Sequence, residues 1–210
     1  MYEPALFRVE DEQALRELIR ARPLGLLIAP GGDFFASADL IPFLLDEKAR
    51  MLRAHVARTN PLVAALAAPC EVLVVFSGGE AYVTPSYYPS KQAHGRVVPT
   101  WNYVMVQARG VARLRLEPEW LDDQIEKLTD GQEGLRAKPW AVGDAPDDFI
   151  AAQKRAVIGL EVEISDWRGK FKLSQNRSAE DRRGVIDGLA AETSPEARAL
   201  AQFMSAREAP

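Results

Sequence analysis

Leu160-Glu161-Val162-Glu163-Ile164 sets apolar and acidic side chains on alternate positions, and Asp166-Trp167-Arg168-Gly169 leads from it into Lys170-Phe171-Lys172-Leu173. Side chains of a pleated strand point to opposite faces with a period of two. The run therefore predicts a half-buried strand, and the glycine-containing break after it predicts a hairpin. The same logic reads outward along the chain. Cys70-Glu71-Val72-Leu73-Val74-Val75-Phe76 is joined by Ser77-Gly78-Gly79-Glu80 to Ala81-Tyr82-Val83-Thr84, which predicts another hairpin. From Asn102 to Leu116, Val104, Val106 and Ala108 share one face of the longest strand, with Gly110 as a bulge position. Leu24 to Ala29, a turn at Pro30-Gly31-Gly32-Asp33, Phe34 to Ile41 and Met51 to Val56 read as an antiparallel meander.

Helical spacing appears elsewhere. Asp11 to Arg22 carries Leu15, Leu18 and Ile19 on one stripe and is closed by Pro23. Asn60-Pro61 starts a short helix with Leu62, Val63 and Leu66 inward. Glu119 to Leu128 forms a helix, and Pro146 to Ala156 follows an Asp144 cap with Phe149 and Ile150 inward. Ser178 to Ala190 and Pro195 to Met204 complete the chain before an Arg207-Glu208-Ala209-Pro210 end that should fray. Runs of strands followed by helices, without regular alternation, predict an α+β fold on an antiparallel sheet or barrel. One domain over 1–210 is expected, with C-terminal helices at about 178–206.

Composition narrows the function classes. Apolar residues make up 47% and charged residues 27% of the 210, which is ordinary for a globular chain. The single cysteine, Cys70, rules out an internal disulfide, and two histidines leave no Cys/His set at metal-ligand spacing. Cys70 opens an apolar run and reads as a buried, inert thiol. Neither a basic leader nor a membrane-length apolar run is present, so a cytoplasmic protein is expected. The net charge of -4 gives no bulk attraction to a phosphate backbone, and the arginines from Asn176 to Arg183 are interleaved with acids. Direct DNA binding is therefore not expected. No Rossmann or Walker loop is present.

Three segments hold the polar chemistry. In His55-Val56-Ala57-Arg58-Thr59-Asn60-Pro61 a strand runs into a helix start, where backbone N–H groups favour an anion; an ordinary capped helix with a solvated Arg58 and a hydrogen-bonded sheet histidine is the other reading. Thr84 to Lys91 and His94 to Tyr103 bring Tyr87, Tyr88, Trp101 and Tyr103 near prolines, basic residues and fixed donors. That suits a flat heterocycle, or an interface. Phe171 to Arg177 is a strand end with adjacent polar residues, which equally suits a cap.

Taken together, His55 to Pro61, Tyr82 to Lys91, Val98 to Tyr103 and Lys172 to Asn176 resemble the PaiB family, FMN-binding split barrels described as negative regulators of sporulation and degradative-enzyme genes. Pro42 to Asp46, Pro139-Trp140, Asp144 to Pro146, Asp181-Arg182 and Gly184-Val185 extend the resemblance from Tyr2 to about Leu189. It implies an antiparallel split β-barrel with peripheral helices, similar to pyridoxamine phosphate oxidase, in a homodimer with FMN between subunits. By this likeness His55, Arg58, Thr59 and Asn60 would lie near the ribityl phosphate. Ser86, Tyr87, Lys91, Thr100, Trp101 and Asn102 would surround the ring or come from the partner, and Lys172, Ser174, Gln175 and Asn176 would close the site.

The sequence departs from that pattern at Ala38-Asp39-Leu40-Ile41-Pro42, where Ala-Thr-His-Leu-Pro is usual. Asp39 adds a carboxylate where a phosphate is expected, and like charges repel, so a weakened FMN site is implied. Ser86-Tyr87-Tyr88 stands where Ser-Trp-Tyr is commoner and keeps an aromatic face. Three functions compete: the PaiB-type regulator, a flavin-dependent oxidoreductase without a convincing general acid or base, and a haem protein with only His55 or His94 as imidazole ligand.

Overall fold

The computed structural model describes residues 1–30 and 37–207. The turn expected at Gly31-Gly32-Asp33, the strand residues expected from Phe34 to Ala36, and the end at Glu208 to Pro210 lie outside the described residues. In chain order the elements are β1 (Arg8–Val9), α1 (Glu12–Ala21), β2 (Leu24–Ala29), β3 (Ser37–Pro42), β4 (Leu44–Asp46), β5 (Met51–Ala57), α2 (Leu62–Ala65), β6 (Cys70–Val83) and α3 (Ser90–His94). After them come β7 (Thr100–Arg115), α4 (Pro118–Glu133), α5 (Asp147–Ala156), β8 (Val157–Lys172), α6 (Ala179–Ala190) and α7 (Pro195–Ala206). The strands form one eight-stranded sheet in the order β3-β2-β6-β7-β8-β5-β4, with β1 paired to β8. The class is α+β, as expected.

Both expected hairpins are instead single strands, β6 through Ser77-Gly78-Gly79-Glu80 and β8 through Asp166-Trp167-Arg168-Gly169. The glycines that looked like turn residues serve close packing. A Cβ on Gly78 would lie 2.4 Å from Leu18 Cδ1 and 2.9 Å from Val104 Cγ1, and one on Gly169 would lie 2.2 Å from Leu15 Cδ2. Gly79 takes φ +115, open to glycine and strained for other residues. Two helix details also differ. Asp144 accepts the Ala141 N–H instead of capping α5, whose N-cap is Pro146. Phe149 is exposed, because α5 buries no residue.

The chain divides into two compact units, residues 1–18, 77–106 and 168–210 in the first, and 19–76 and 107–167 in the second. The divisions fall inside α1, β6, β7 and β8. In the second unit β5 pairs antiparallel with β8 from Met51↔Glu163 to Ala57↔Val157, and β2 pairs with β3 from Leu24↔Pro42 to Ala29↔Ser37. Leu27, Phe43, Leu52, Leu66, Val74, Phe76, Leu160 and Val162 are buried there, with the Phe43 and Phe76 rings edge to face at 5.9 Å. Gly110 lies inside β7, where an added Cβ would come 2.1 Å from the Glu163 carbonyl oxygen.

Helix α4 is fastened to this unit by Trp120. Its Nε1 donates to Glu161 Oε1 at 2.8 Å, while Arg53 lies over the ring at 4.5 Å and donates to Asp123 at 2.8 Å. Glu161, one of the acids that alternate along β8, thus holds both Trp120 and Arg115. In the first unit Val83, Val104, Val106, Phe171, Leu173, Leu189, Leu200 and Met204 are buried, and α6 and α7 close this core, with Phe171 edge to face on Phe203 at 5.6 Å. Ser178 and Ser194 cap α6 and α7 by accepting the Asp181 and Ala197 N–H groups.

Candidate functional site

The residues expected at the site divide between the two units. In the second, the end of β5 turns into α2 at Arg58-Thr59-Asn60-Pro61. Arg58 is exposed, its N–H going to the Ala156 carbonyl at 2.9 Å and its Nε to the Arg155 carbonyl at 3.0 Å. Thr59 is exposed and Asn60 half-buried. Asn60 Oδ1 accepts the Leu62 N–H at 2.8 Å, and Asn60 Nδ2 donates to Asp39 Oδ1 at 3.2 Å. Ser37 Oγ donates to the other Asp39 oxygen at 2.7 Å. The helix start is weaker than expected as an anion seat, because α2 spans only Leu62–Ala65 and its first amide is already taken. The exposed side chains of this turn are Arg58 and Thr59, and the Asp39 carboxylate is bonded to the adjacent Asn60.

His55 sits on β5 opposite Gly159, and its Nδ1 is buried without a hydrogen-bond partner among the described residues. Burial lowers its pKa below 6.5, which keeps the ring neutral. The hydrogen-bonded sheet histidine expected from the sequence is therefore not observed at this nitrogen. His94 is exposed and accepts the Arg96 N–H on Nδ1 at 3.0 Å. Cys70 is half-buried, and desolvation raises its thiol pKa, so it stays protonated and inert near neutral pH. No group of three or more His, Cys, Asp or Glu among the described residues can hold a metal ion. No helix among them is long and apolar enough to cross a membrane.

In the first unit, Lys172 at the end of β8 reaches the start of β7. Its Nζ donates to Thr100 Oγ1 at 2.6 Å and to the Trp101 carbonyl oxygen. Burial lowers the Lys172 pKa, and the positive charges of Lys170 and Arg177 lower it further. Trp101 is 54% exposed and meets Tyr82 edge to face at 5.8 Å. Lys170 is buried, its Nζ lying 5.2 Å from the Tyr103 ring centre and 5.4 Å from that of Tyr2. The result is an aromatic and cationic face. Ser86 and Lys91 are exposed, with Lys91 Nζ donating to Ser86 Oγ at 3.2 Å.

The remaining expected residues are engaged inside this unit. Asn102 is fully buried, and its amide pairs with the Ser174 hydroxyl, Nδ2 to Oγ at 2.9 Å. Ser174 takes φ 63, a left-handed turn held by that contact. Gln175 accepts the Leu173 N–H at 2.6 Å and donates to the Phe171 carbonyl at 2.5 Å. Asn176 is exposed. Tyr87 is half-buried and donates its hydroxyl to Glu192 Oε1, while Tyr88 is buried under the Arg177 guanidinium at 4.7 Å. Sequence reasoning missed Glu192 and Lys170. Glu192 lies 105 positions from Tyr87 and no local pattern marks it, whereas Lys170 follows Lys172 at the strand period.

Residues 1–166 match the family model described as "Putative FMN-binding domain". An uncharacterised protein of Aspergillus fumigatus is similar to the chain at 36% identity, the alignment covering 90% of each. The protease synthase and sporulation protein PAI 2 of Bacillus subtilis is similar at 27% identity, covering 97% of this chain and 96% of that one. Among solved structures, the FAD and haem binding protein of Mycobacterium smegmatis superimposes with a TM-score of 0.60 at 17% identity, covering 84% of this chain and 78% of the other. That likeness bears on fold, and the fold is the antiparallel split barrel anticipated from the sequence.

Proposed function

The chain belongs to the PaiB-type family of FMN-binding domains, and from that membership we propose that it is a flavin-binding split-barrel protein that takes FMN as a cytoplasmic homodimer. One observation in the structure supports this most: the half-buried Lys172, its pKa lowered by burial and by Lys170 and Arg177, donates to the Trp101 carbonyl on the strand that also carries the exposed Trp101 side chain. A flavin ring is flat, with carbonyl acceptors along one edge, and ends in a phosphate. Trp101 offers an aromatic face, and Lys172 offers a donor that gains from any negative charge brought near it. Two separate sets are proposed for flavin contacts, Arg58 and Thr59 in the second unit for a phosphate, and Ser86, Lys91, Thr100 and Asn176 in the first unit for a ring. Asn102, Ser174 and Gln175 shape the strand end through their internal bonds.

The redox chemistry would be the flavin's own, with the protein supplying placement and donors. Tyr87 is a poor proton carrier, since burial and then the Glu192 carboxylate raise its pKa to about 12. With a net charge of -4, any regulatory role is proposed to be indirect or to use a surface formed only by the dimer. The absorption spectrum of the purified protein, before and after FMN addition, tests the proposal. Flavin bands that stay with the protein through gel filtration support it; a Soret band would assign haem instead, and the failure of added FMN to remain bound would refute it.

A further inference from the structure

Helix α6 turns one face toward the segment from Thr84 to Lys91. Asp181, 5% exposed, accepts from Ser90 twice, from the backbone N–H at 3.0 Å and from Oγ at 2.7 Å. A Cβ on Gly184 would lie 2.2 Å from the Tyr87 carbonyl oxygen and 2.9 Å from Pro89 Cδ. On Gly188 it would lie 2.3 to 2.6 Å from three atoms of the Tyr87 ring. Just past the helix, Glu192 accepts the Tyr87 hydroxyl. Positions 181, 184, 188 and 192 follow the three- and four-residue steps of one helical face.

Glycine within a helix costs roughly 1 kcal/mol relative to alanine. Two of them on one face of α6 are accounted for by the close approach of the Tyr87 backbone and ring. The segment is fixed at Tyr87 and at Ser90, and the Ser86 and Lys91 side chains remain exposed. A loop ordered in advance spares a ligand the entropy of ordering it.

We infer that α6 is the positioning element of the flavin-facing segment: Asp181, Gly184, Gly188 and Glu192 set the shape of Ser86 to Lys91 and thereby the ligand affinity, without touching the ligand. The inference rests on the flavin reading above.

Gly188→Ala tests it through two readouts, FMN affinity and an ultraviolet titration of the tyrosine phenols, with circular dichroism to confirm folding. In the wild type Tyr87 should resist ionisation to about pH 12, since burial and Glu192 hold its proton. In Gly188→Ala that tyrosine should return toward its ordinary value of 10.0, and FMN affinity should fall by roughly tenfold or more. Glu192→Gln keeps a hydrogen-bond acceptor; it should lower the Tyr87 pKa yet hold FMN affinity within about twofold. Should Gly188→Ala fail to fold, Asp181→Ala releases the Ser90 end and is expected to weaken FMN in the same way. A folded Gly188→Ala protein with wild-type FMN affinity would overturn the inference alone, as would an unmoved Tyr87 titration. A wild type that takes no flavin overturns the flavin reading and this inference with it.

Discussion

Asn60 Nδ2 donates to Asp39 Oδ1 across 3.2 Å, which puts a carboxylate one side chain away from the Arg58-Thr59 turn proposed for the flavin phosphate. Removing that charge should help the phosphate. Asp39→Asn keeps an oxygen acceptor for Asn60 or Ser37, so the local shape is preserved. At low salt FMN should bind on the order of fivefold tighter, about 1 kcal/mol at a partly screened distance, and the gain should shrink as salt rises. Unchanged or weaker FMN binding by the variant in a low-salt fluorescence titration would place the phosphate elsewhere.

Arg58→Ala should weaken FMN about 10- to 100-fold, in line with losing charge-assisted hydrogen bonds of roughly 1.5 to 3 kcal/mol. Riboflavin, lacking the phosphate, should be nearly indifferent. Arg58 also donates to the Arg155 carbonyl, so the comparison between ligands separates a phosphate contact from a loosened turn. Equal losses for both flavins would make Arg58 structural, and no loss for either would move the phosphate toward Lys91 or Lys172.

The strands were legible because their signal is local. Leu160, Val162 and Ile164 alternate with acids and are all buried, and Val104, Val106 and Ala108 behave alike. The connections were misread where glycine answered to a distant neighbour. Gly78 meets Leu18 and Val104, and Gly169 meets Leu15, and nothing within either segment distinguishes such a glycine from a turn residue. The candidate site shows the same limit. Arg58, Trp101 and Lys172 stood out by type and neighbourhood, but the Lys172 bond to Thr100 spans 72 positions and the Tyr87 bond to Glu192 spans 105. Asn102 was placed at the ring by the family likeness, and its full burial against Ser174 is a tertiary fact that its own segment does not show.

Gly159 illustrates packing without a ligand. A Cβ there would lie 2.4 Å from Trp120 Cζ3 and 2.9 Å from Arg115 Cβ. Trp120 cannot easily retreat, being bonded to Glu161 and covered by Arg53. Gly159→Ala should therefore destabilise the fold by about 1 to 3 kcal/mol through overpacking. Gly131 in α4 has nothing within 4 Å of an added Cβ, so Gly131→Ala should be neutral or add up to about 1 kcal/mol from helix propensity. Denaturant midpoints measure both, and a Gly159→Ala midpoint at or above that of Gly131→Ala would contradict this packing account.

Lys172 should leave a signature in the alkaline pH dependence of stability. Burial, then Lys170 and Arg177, lower its folded pKa below 10.5, so the charged form is disfavoured by folding. The cost is present in full below the lowered pKa. As pH rises from that value toward 10.5, the folded protein loses the Lys172 proton while the unfolded chain still holds it, and the cost is relieved. Stability in the wild type should thus rise relative to Lys172→Met across this window. Taking the difference between the two proteins cancels other groups that titrate there, Tyr87 included. The Lys172 bonds to Thr100 and to the Trp101 carbonyl shift the difference by an amount that does not change below the lowered pKa, so the slope, not the offset, is diagnostic. An electron-rich flavin edge placed at Lys172 should raise its pKa again, so FMN binding in the same window should take up protons, seen as calorimetric heats that depend on the buffer. A stability difference flat with pH would mean that Lys172 is solvated like an ordinary surface lysine. A sloped difference with no proton uptake on FMN binding would keep the buried cation and remove it from the flavin site.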